Sequence, residues 1–333
     1  MGCCRTGKSQ YLKLSMKHAS MTKPHYKERH MQTLHPHRSA TRRALAAATL
    51  LLAAGAAHAA DGDTLKKIKD SGVISLGYRE SSIPFSYTDG KEVMGYSHEI
   101  LLQIVDKIKS ELKMPNLQVR LTPITSQNRI PLVQNGTIDI ECGSTTNNLE
   151  RQKQVAFSNS LFVYGIKMLT KKDSGVKEFA DLKDRNVVTT AGTTGERLLV
   201  KMNGEKAMNM NLISTKDHGQ SFLILETGRA AAFVMDEPLL YGERTKAKNA
   251  AEWVVVGAPL QTENYACMFR KDDPSFKKLA DGVIADLQTS GRAEKLYNKW
   301  FMAPIPPRGI NMNYPLSADM KALFAAPNDK AYQ

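Results

Sequence analysis

The sequence predicts an α/β protein built as two similar lobes, and three observations carry that expectation. The chain has 333 residues, which is room for two domains of ordinary size. Helix-period and strand-period segments alternate along it, the pattern of an α/β chain. One grammar of helix, x-Gly, strand and polar residue also occurs twice, as LVQNGTIDIECGS and as ILETGRAAAFVMDE. The two copies are too loosely alike for a repeat array. They suit two lobes whose strands each end at a polar cluster, and ligands of open α/β sheets sit outside the carboxyl ends of strands.

Taken in order, residues 1–59 read as leader. HRSATRR is a basic n-region, ALAAATLLLAAGA an apolar stretch of h-region length, and Ala57-His58-Ala59 a small-x-small cleavage site. The apolar run is too short for a stable membrane anchor, and no cysteine follows it to make a lipoprotein. Export to a bacterial periplasm is expected. Met31 would begin a signal peptide of normal length, so residues 1–30 read as an extension from a mis-called start. Of the 46 Lys+Arg and 33 Asp+Glu, this leader holds 10 and 1, so the formal charge falls from +13 to 36 against 32, or +4. That balance gives no concentrated basic surface for nucleic acid and suits small anionic partners. Cys3 and Cys4 leave with the leader; Cys142 and Cys267 remain, enough for one disulfide in an oxidising compartment. With no CxxC spacing and only His98 and His218 left, neither a metal centre nor a cofactor is expected.

In the mature part GVISLGY reads as a strand, followed by a helix capped by Ser97 with Ile100, Leu101, Ile104, Val105, Ile108 and Leu112 on one face. LQVRLTPI is the next strand. A helix from about Ser126 to Gln134 stops at Asn135-Gly136, and TIDIEC is a strand. VVTTAGTTGERLL reads as strand, Gly-rich turn and helix start. A helix over Asp217 to Thr227 then precedes the strand AAAFVMD.

The candidate chemistry gathers at these strand ends. Arg79 follows GVISLGY, Arg129 occupies the first turn of its helix, and Arg151 closes STTNNLER. A cation in a first helical turn is disfavoured by about 0.3–1 kcal/mol unless an anion relieves it, and Arg is shaped for bidentate contact with carboxylate. Taken singly, the three are as well explained by surface ion pairs. Ser126 serves equally as a helix cap, Ser144 and Thr146 lie just past TIDIEC, and Thr194 sits in a turn with free N–H groups. His218 opens a helix. Asp236 ends a buried strand, where a carboxylate needs a partner such as an ammonium group. No GxGxxG, GxxxxGK[ST], HExxH or GxSxG occurs, which counts against nucleotide binding and several hydrolase classes. Several donors for two carboxylates and one acid for an amine describe an acidic amino acid, bound without chemistry.

GYRESSIPFSY, PITSQNRIPLVQNGTIDIECGSTTNNLERQKQVAFS, KDHGQSF, GRAAAFVMD, YACMFRKDDP and APIPP with NMNYPLS resemble the periplasmic amino-acid-binding proteins of bacterial ABC importers. The likeness is to the members that take glutamate and aspartate, and it covers essentially the whole mature chain. It implies the type II periplasmic binding protein fold, two α/β lobes joined by two crossing strands. Lobe one would comprise 61–164 with 268–310, lobe two 165–267, and 311–333 a C-terminal tail. By the same likeness Arg151, Ser144, Thr146 and Thr194 hold an α-carboxylate and Asp236 the α-ammonium. Arg79, Ser126, Arg129 and His218 would surround a side-chain carboxylate. Gly195 departs from the family's GTTSE form. Cys142 and Cys267 fall near the expected crossings, where a disulfide would join them. The expected partners are L-glutamate or L-aspartate and a membrane permease, with the protein a monomer. A periplasmic dehydratase on the same fold would need an acid at the ligand, for which Glu80 and Glu141 are the candidates; a ligand-sensing domain is the third reading.

Overall fold

The computed structural model describes residues 63–331, so the expected leader lies outside the described residues. α1 (Thr64–Ser71) leads into β1 (Val73–Arg79) and a small meander of β2 (Ser81–Ser82), β3 (Ser86–Thr88) and β4 (Val93–Met94). Next come α2 (Tyr96–Leu112), β5 (Gln118–Ile124), α3 (Arg129–Gln134), β6 (Ile140–Glu141) and α4 (Leu149–Gln152). The long strand β7 (Ala156–Lys171) carries the chain onward to β8 (Asn186–Thr190), α5 (Thr194–Glu205), β9 (Asn211–Thr215) and α6 (His218–Glu226). β10 (Ala232–Asp236), α7 (Glu237–Arg244), β11 (Trp253–Val256) and β12 (Thr262–Phe269) follow. α8 (Pro274–Thr289), α9 (Arg292–Phe301), the pair β13 (Pro304–Ile305) and β14 (Ile310–Asn311), and α10 (Ala318–Ala325) complete the described chain.

The sheet order β5-β1-β6-β12-β7-β10-β8-β9 is nearly palindromic. At each end three parallel strands are wound by helices, β5-β1-β6 in lobe one and β9-β8-β10 in lobe two. Between them β12 and β7 run antiparallel, with Thr262 opposite Gly165 and Phe269 opposite Ala156. The two crossing strands turn the carboxyl ends of both parallel sets toward one another. The hydrophobic core spans both lobes, and Phe162 of β7 contacts Phe85, Tyr96, Tyr265, Tyr297, Phe301 and Tyr314. The C-terminal segment folds back over the crossing: Met320, Leu323 and Phe324 are buried, and Asn328 O accepts from Ser160 N at 2.8 Å.

Three local expectations differ. α2 begins at Tyr96 with Gly95 before it, and Ser97 lies inside the helix. Its first N–H groups are taken by main-chain carbonyls, Tyr96 N by Pro84 O at 2.8 Å and Ser97 N by Phe85 O at 3.0 Å, so no side-chain cap is required. A Cβ at Gly95, whose φ is 130°, would meet Phe85 O at 2.4 Å, so no capping side chain fits at the position that precedes the helix. α3 likewise starts at Arg129 after Asn128, not at Ser126. Thr125 and Asn128 bond each other reciprocally, at 2.7 and 3.2 Å. Third, TIDIEC is a two-residue strand rather than six.

Cys142, just past β6, and Cys267, in β12, are joined by a disulfide that closes 125 residues of sequence. On the chain-entropy account such a loop is worth about 5 kcal/mol. The Cys142→Ser, Cys267→Ser protein is therefore expected to unfold at markedly lower denaturant than the oxidised protein; equal midpoints in guanidinium would contradict this.

Candidate functional site

Arg79 is the last residue of β1, and its N–H donates to Ser86 Oγ at 3.0 Å, fixing the turn into the meander. Its guanidinium lies 3.4 Å from Ser144 Oγ and 3.4 Å from His218 Nε2, so it touches both lobes. Arg129 opens α3 and donates from Nη1 to Ser144 O at 3.0 Å and to Thr145 Oγ1 at 2.5 Å. Its Nε is buried without a partner. Arg151 sits in α4, whose cap Asn148 accepts from Arg151 N at 2.9 Å. From there Nη1 reaches Thr146 O at 3.0 Å and Nη2 reaches Gly192 O of lobe two at 3.2 Å. Gly192 has φ +79°, and a Cβ there would lie 2.9 Å from the Gln127 backbone, so a glycine lets the two lobes meet at this point.

The surface-pair explanation of the arginines does not hold. Arg79 and Arg129 are each 1% exposed and Arg151 9%, and no ion pair among the described residues includes any of them. Burial pulls the Arg129 guanidinium down to about 10, against the attraction of Glu141 and with the help of neighbouring Arg79. Burial, reinforced by Arg129, holds Arg151 at about 10. All three stay protonated at neutral pH, as buried cations without a carboxylate in contact. That state is costly unless an anion joins them.

The remaining expected residues join this cluster on different terms. Among the described residues no hydrogen bond joins Ser144 to Arg151: its hydroxyl lies against Arg79 and, at 3.3 Å, donates to Ser82 Oγ, and its carbonyl accepts from Arg129. The hydroxyls of Thr146 and Thr194 both point to Glu263 Oε2, at 3.1 and 2.6 Å, and at the start of α5 the Thr193 hydroxyl accepts from Glu196 N at 3.1 Å. Ser126 is buried in the turn before α3, and no hydrogen bond links it to the others. Asp236 ends β10; Oδ2 accepts from Tyr265 OH and Oδ1 is buried without a partner. Burial, then repulsion from Glu263, pushes its carboxyl up to about 7.

His218 was expected to donate to a carboxylate. It is fully buried, and burial followed by the repulsion of Arg79 holds its pKa well below the imidazole range, so it is neutral. A guanidinium has only donors, so Nε2 accepts from Arg79, and Nδ1–H donates to Thr190 Oγ1 at 2.9 Å. The ring therefore orients Arg79 rather than presenting a proton to a guest.

The sequence reading did not single out Thr145, Tyr164, Thr190, Glu263 or Tyr265. Glu141 was expected to be either an acid for catalysis or a structural strand-end residue. It is wholly buried, accepts from Thr145, and supplies negative charge behind Arg79 and Arg129. Glu80, the other candidate acid, is exposed. Among the described residues no group of His, Cys, Asp and Glu is arranged to hold a metal, and no helix is long and apolar enough to cross a membrane.

Residues 74–303 match the bacterial extracellular solute-binding proteins, family 3. The chain is 59% identical over 294 residues to the glutamate/aspartate import solute-binding protein of Escherichia coli strain K12, covering 86% of this chain and 97% of that one. It is 58% identical over 270 residues to the L-glutamate/L-aspartate-binding protein of Pseudomonas aeruginosa, covering 80% and 89%. Among solved structures, the P235GK mutant of ArgBP from T. maritima superposes with a TM-score of 0.63 at 25% identity, covering 71% of this chain and 98% of that one. The architecture is that of a two-lobed, type II periplasmic binding protein.

Proposed function

The chain belongs to the bacterial extracellular solute-binding proteins, family 3, and we propose that it captures L-glutamate and L-aspartate between its lobes for delivery to the membrane permease of an ABC importer. It is a carrier of the kind its relatives are, and not an enzyme. The single observation that supports this ligand class is the buried charge pattern. Three buried guanidiniums with no ion pair among the described residues lie within electrostatic reach of Asp236, whose Oδ1 has no partner. A guest with two carboxylates and one ammonium answers each of those groups.

On this reading Arg151, with the N–H groups at Thr194, takes the α-carboxylate, and Asp236 the α-ammonium. Arg79 and Arg129, with Ser126 and Ser144, face the side-chain carboxylate, while His218 steadies Arg79. The lobes divide as 61–164 with 268–310 and 165–267, and the protein works in the periplasm. Closure follows from linkage: an open cleft offers the ligand one lobe's groups and a closed cleft both, so the ligand shifts the population toward closed. The test is a thermal-shift screen of the common amino acids. At a ligand concentration of about 100 Kd, L-glutamate and L-aspartate should each add roughly 2.7 kcal/mol of stability, and the others far less. Stabilisation by arginine or a neutral amino acid with none by glutamate would overturn the proposal.

A further inference from the structure

Glu263 is the most completely engaged carboxylate near the cleft, yet no ligand contact is assigned to it. It lies in crossing strand β12 and is fully buried. Oε2 accepts from Thr146 Oγ1 at 3.1 Å, Tyr164 OH at 2.8 Å and Thr194 Oγ1 at 2.6 Å, while Oε1 accepts from Gln261 Nε2 at 3.3 Å. No cation forms an ion pair with it among the described residues. Its three hydroxyl donors come from three different places: Thr146 from the segment after β6, Tyr164 from the other crossing strand, and Thr194 from the first position of α5 in lobe two. A carboxylate buried without a cation is stable only when its lone pairs are filled. Thr146 belongs to lobe one and Thr194 to lobe two, and both hydroxyls meet on this one carboxylate of the crossing strand.

We propose that Glu263 is a positioning residue for ligand capture: one buried carboxylate draws together hydroxyls from both lobes and the crossing strand, and so completes the cleft floor on closure. This deepens the function proposed above and rests on it. Two consequences follow from the same atoms. Glu263 holds the Thr146 and Thr194 hydroxyls, and so steadies the two residues beside Arg151, whose Nη1 donates to Thr146 O at 3.0 Å. Glu263 is also a like charge beside Asp236, whose other neighbours are the phenols of Tyr265 and Tyr164 and the guanidiniums of Arg79, Arg129 and Arg151. An ammonium guest needs Asp236 ionised. As pH falls through its raised pKa, near 7, that carboxylate takes a proton the guest must displace, so affinity declines on the acid side.

The experiment is a double-mutant cycle with Glu263→Gln and Thr194→Val, reading L-glutamate Kd by calorimetry from pH 5 to 8. Glu263→Gln is expected to weaken binding roughly tenfold at pH 8, the scale of one hydrogen bond to a charged group. Thr194→Val should cost clearly less in that variant than in the native protein. The acid-side decline should also begin at lower pH once the like charge is gone, a shift that a purely structural defect would not produce. Native affinity and an unmoved pH profile in Glu263→Gln, or an additive cycle, would overturn the inference. Should the native protein take another amino acid in place of glutamate, the ligand proposal fails, and the same cycle run with that amino acid still decides on Glu263.

Discussion

Arg151→Ala is expected to remove amino-acid binding of every kind, not only that of acidic side chains. All amino acids share the α-carboxylate, and Arg151 is the guanidinium placed to span the cleft, with Nη1 on Thr146 O and Nη2 on Gly192 O. Truncating one member of a buried, hydrogen-bonded charge pair costs about 2–5 kcal/mol, or roughly 30-fold to several thousand-fold in Kd. Alanine also leaves the Thr146 and Gly192 carbonyls without their donor, which loosens the contact between lobes at the point where Gly192 approaches Gln127. Arg151→Lys should fail nearly as badly, because an ammonium keeps the charge but not the fork that serves two acceptors and a carboxylate together. Calorimetric titration of both variants with L-glutamate and L-aspartate checks this. Native affinity in the alanine variant would move the α-carboxylate elsewhere.

The parts of this protein that were legible in its sequence are those set by local pattern. β1, β5 and β10 lie where GVISLGY, LQVRLTPI and AAAFVMD placed them, and α6 begins after its Asp217 cap. α3 ends at Asn135 before Gly136, whose φ is +76°, as the Asn-Gly signal implied. Errors arose where other groups took the place of the expected cap, a distant backbone in one case and a neighbouring side-chain pair in the other. Ser97 was passed over as a cap because Pro84 and Phe85 carbonyls already hold the first N–H groups of α2. Ser126 was passed over because Thr125 and Asn128 close on each other.

The candidate site divides in the same way. Arg79, Arg129, Arg151 and Asp236 stand at strand ends or helix starts, so sequence position alone could single them out. Glu263 gave no such signal. It is one residue of an ordinary strand, and its meaning depends on Thr146, which is 117 residues away, and Thr194, which is 69 away. The neutrality of His218 was equally hidden, since it comes from burial and from Arg79, 139 residues away.

On the proposed placement of the side-chain carboxylate, Arg129→Ala is expected to weaken glutamate about a hundredfold while changing glutamine less than about tenfold. Behind Arg79 and Arg129 lies Glu141, reached through Thr145, and all three charges are fully buried. With both arginines present the local balance is positive, and an incoming carboxylate finds an unpaired Nε on Arg129 and relieves the repulsion between the two guanidiniums. Without Arg129 the remaining Arg79 is matched by Glu141, and a second carboxylate would enter a neutral or negative pocket. An amide brings no charge and loses little. The ratio of glutamine to glutamate Kd, measured by calorimetry in native and Arg129→Ala proteins, should therefore fall by about tenfold or more. An unchanged ratio, whatever the absolute affinities, would mean that the side-chain carboxylate does not face Arg129.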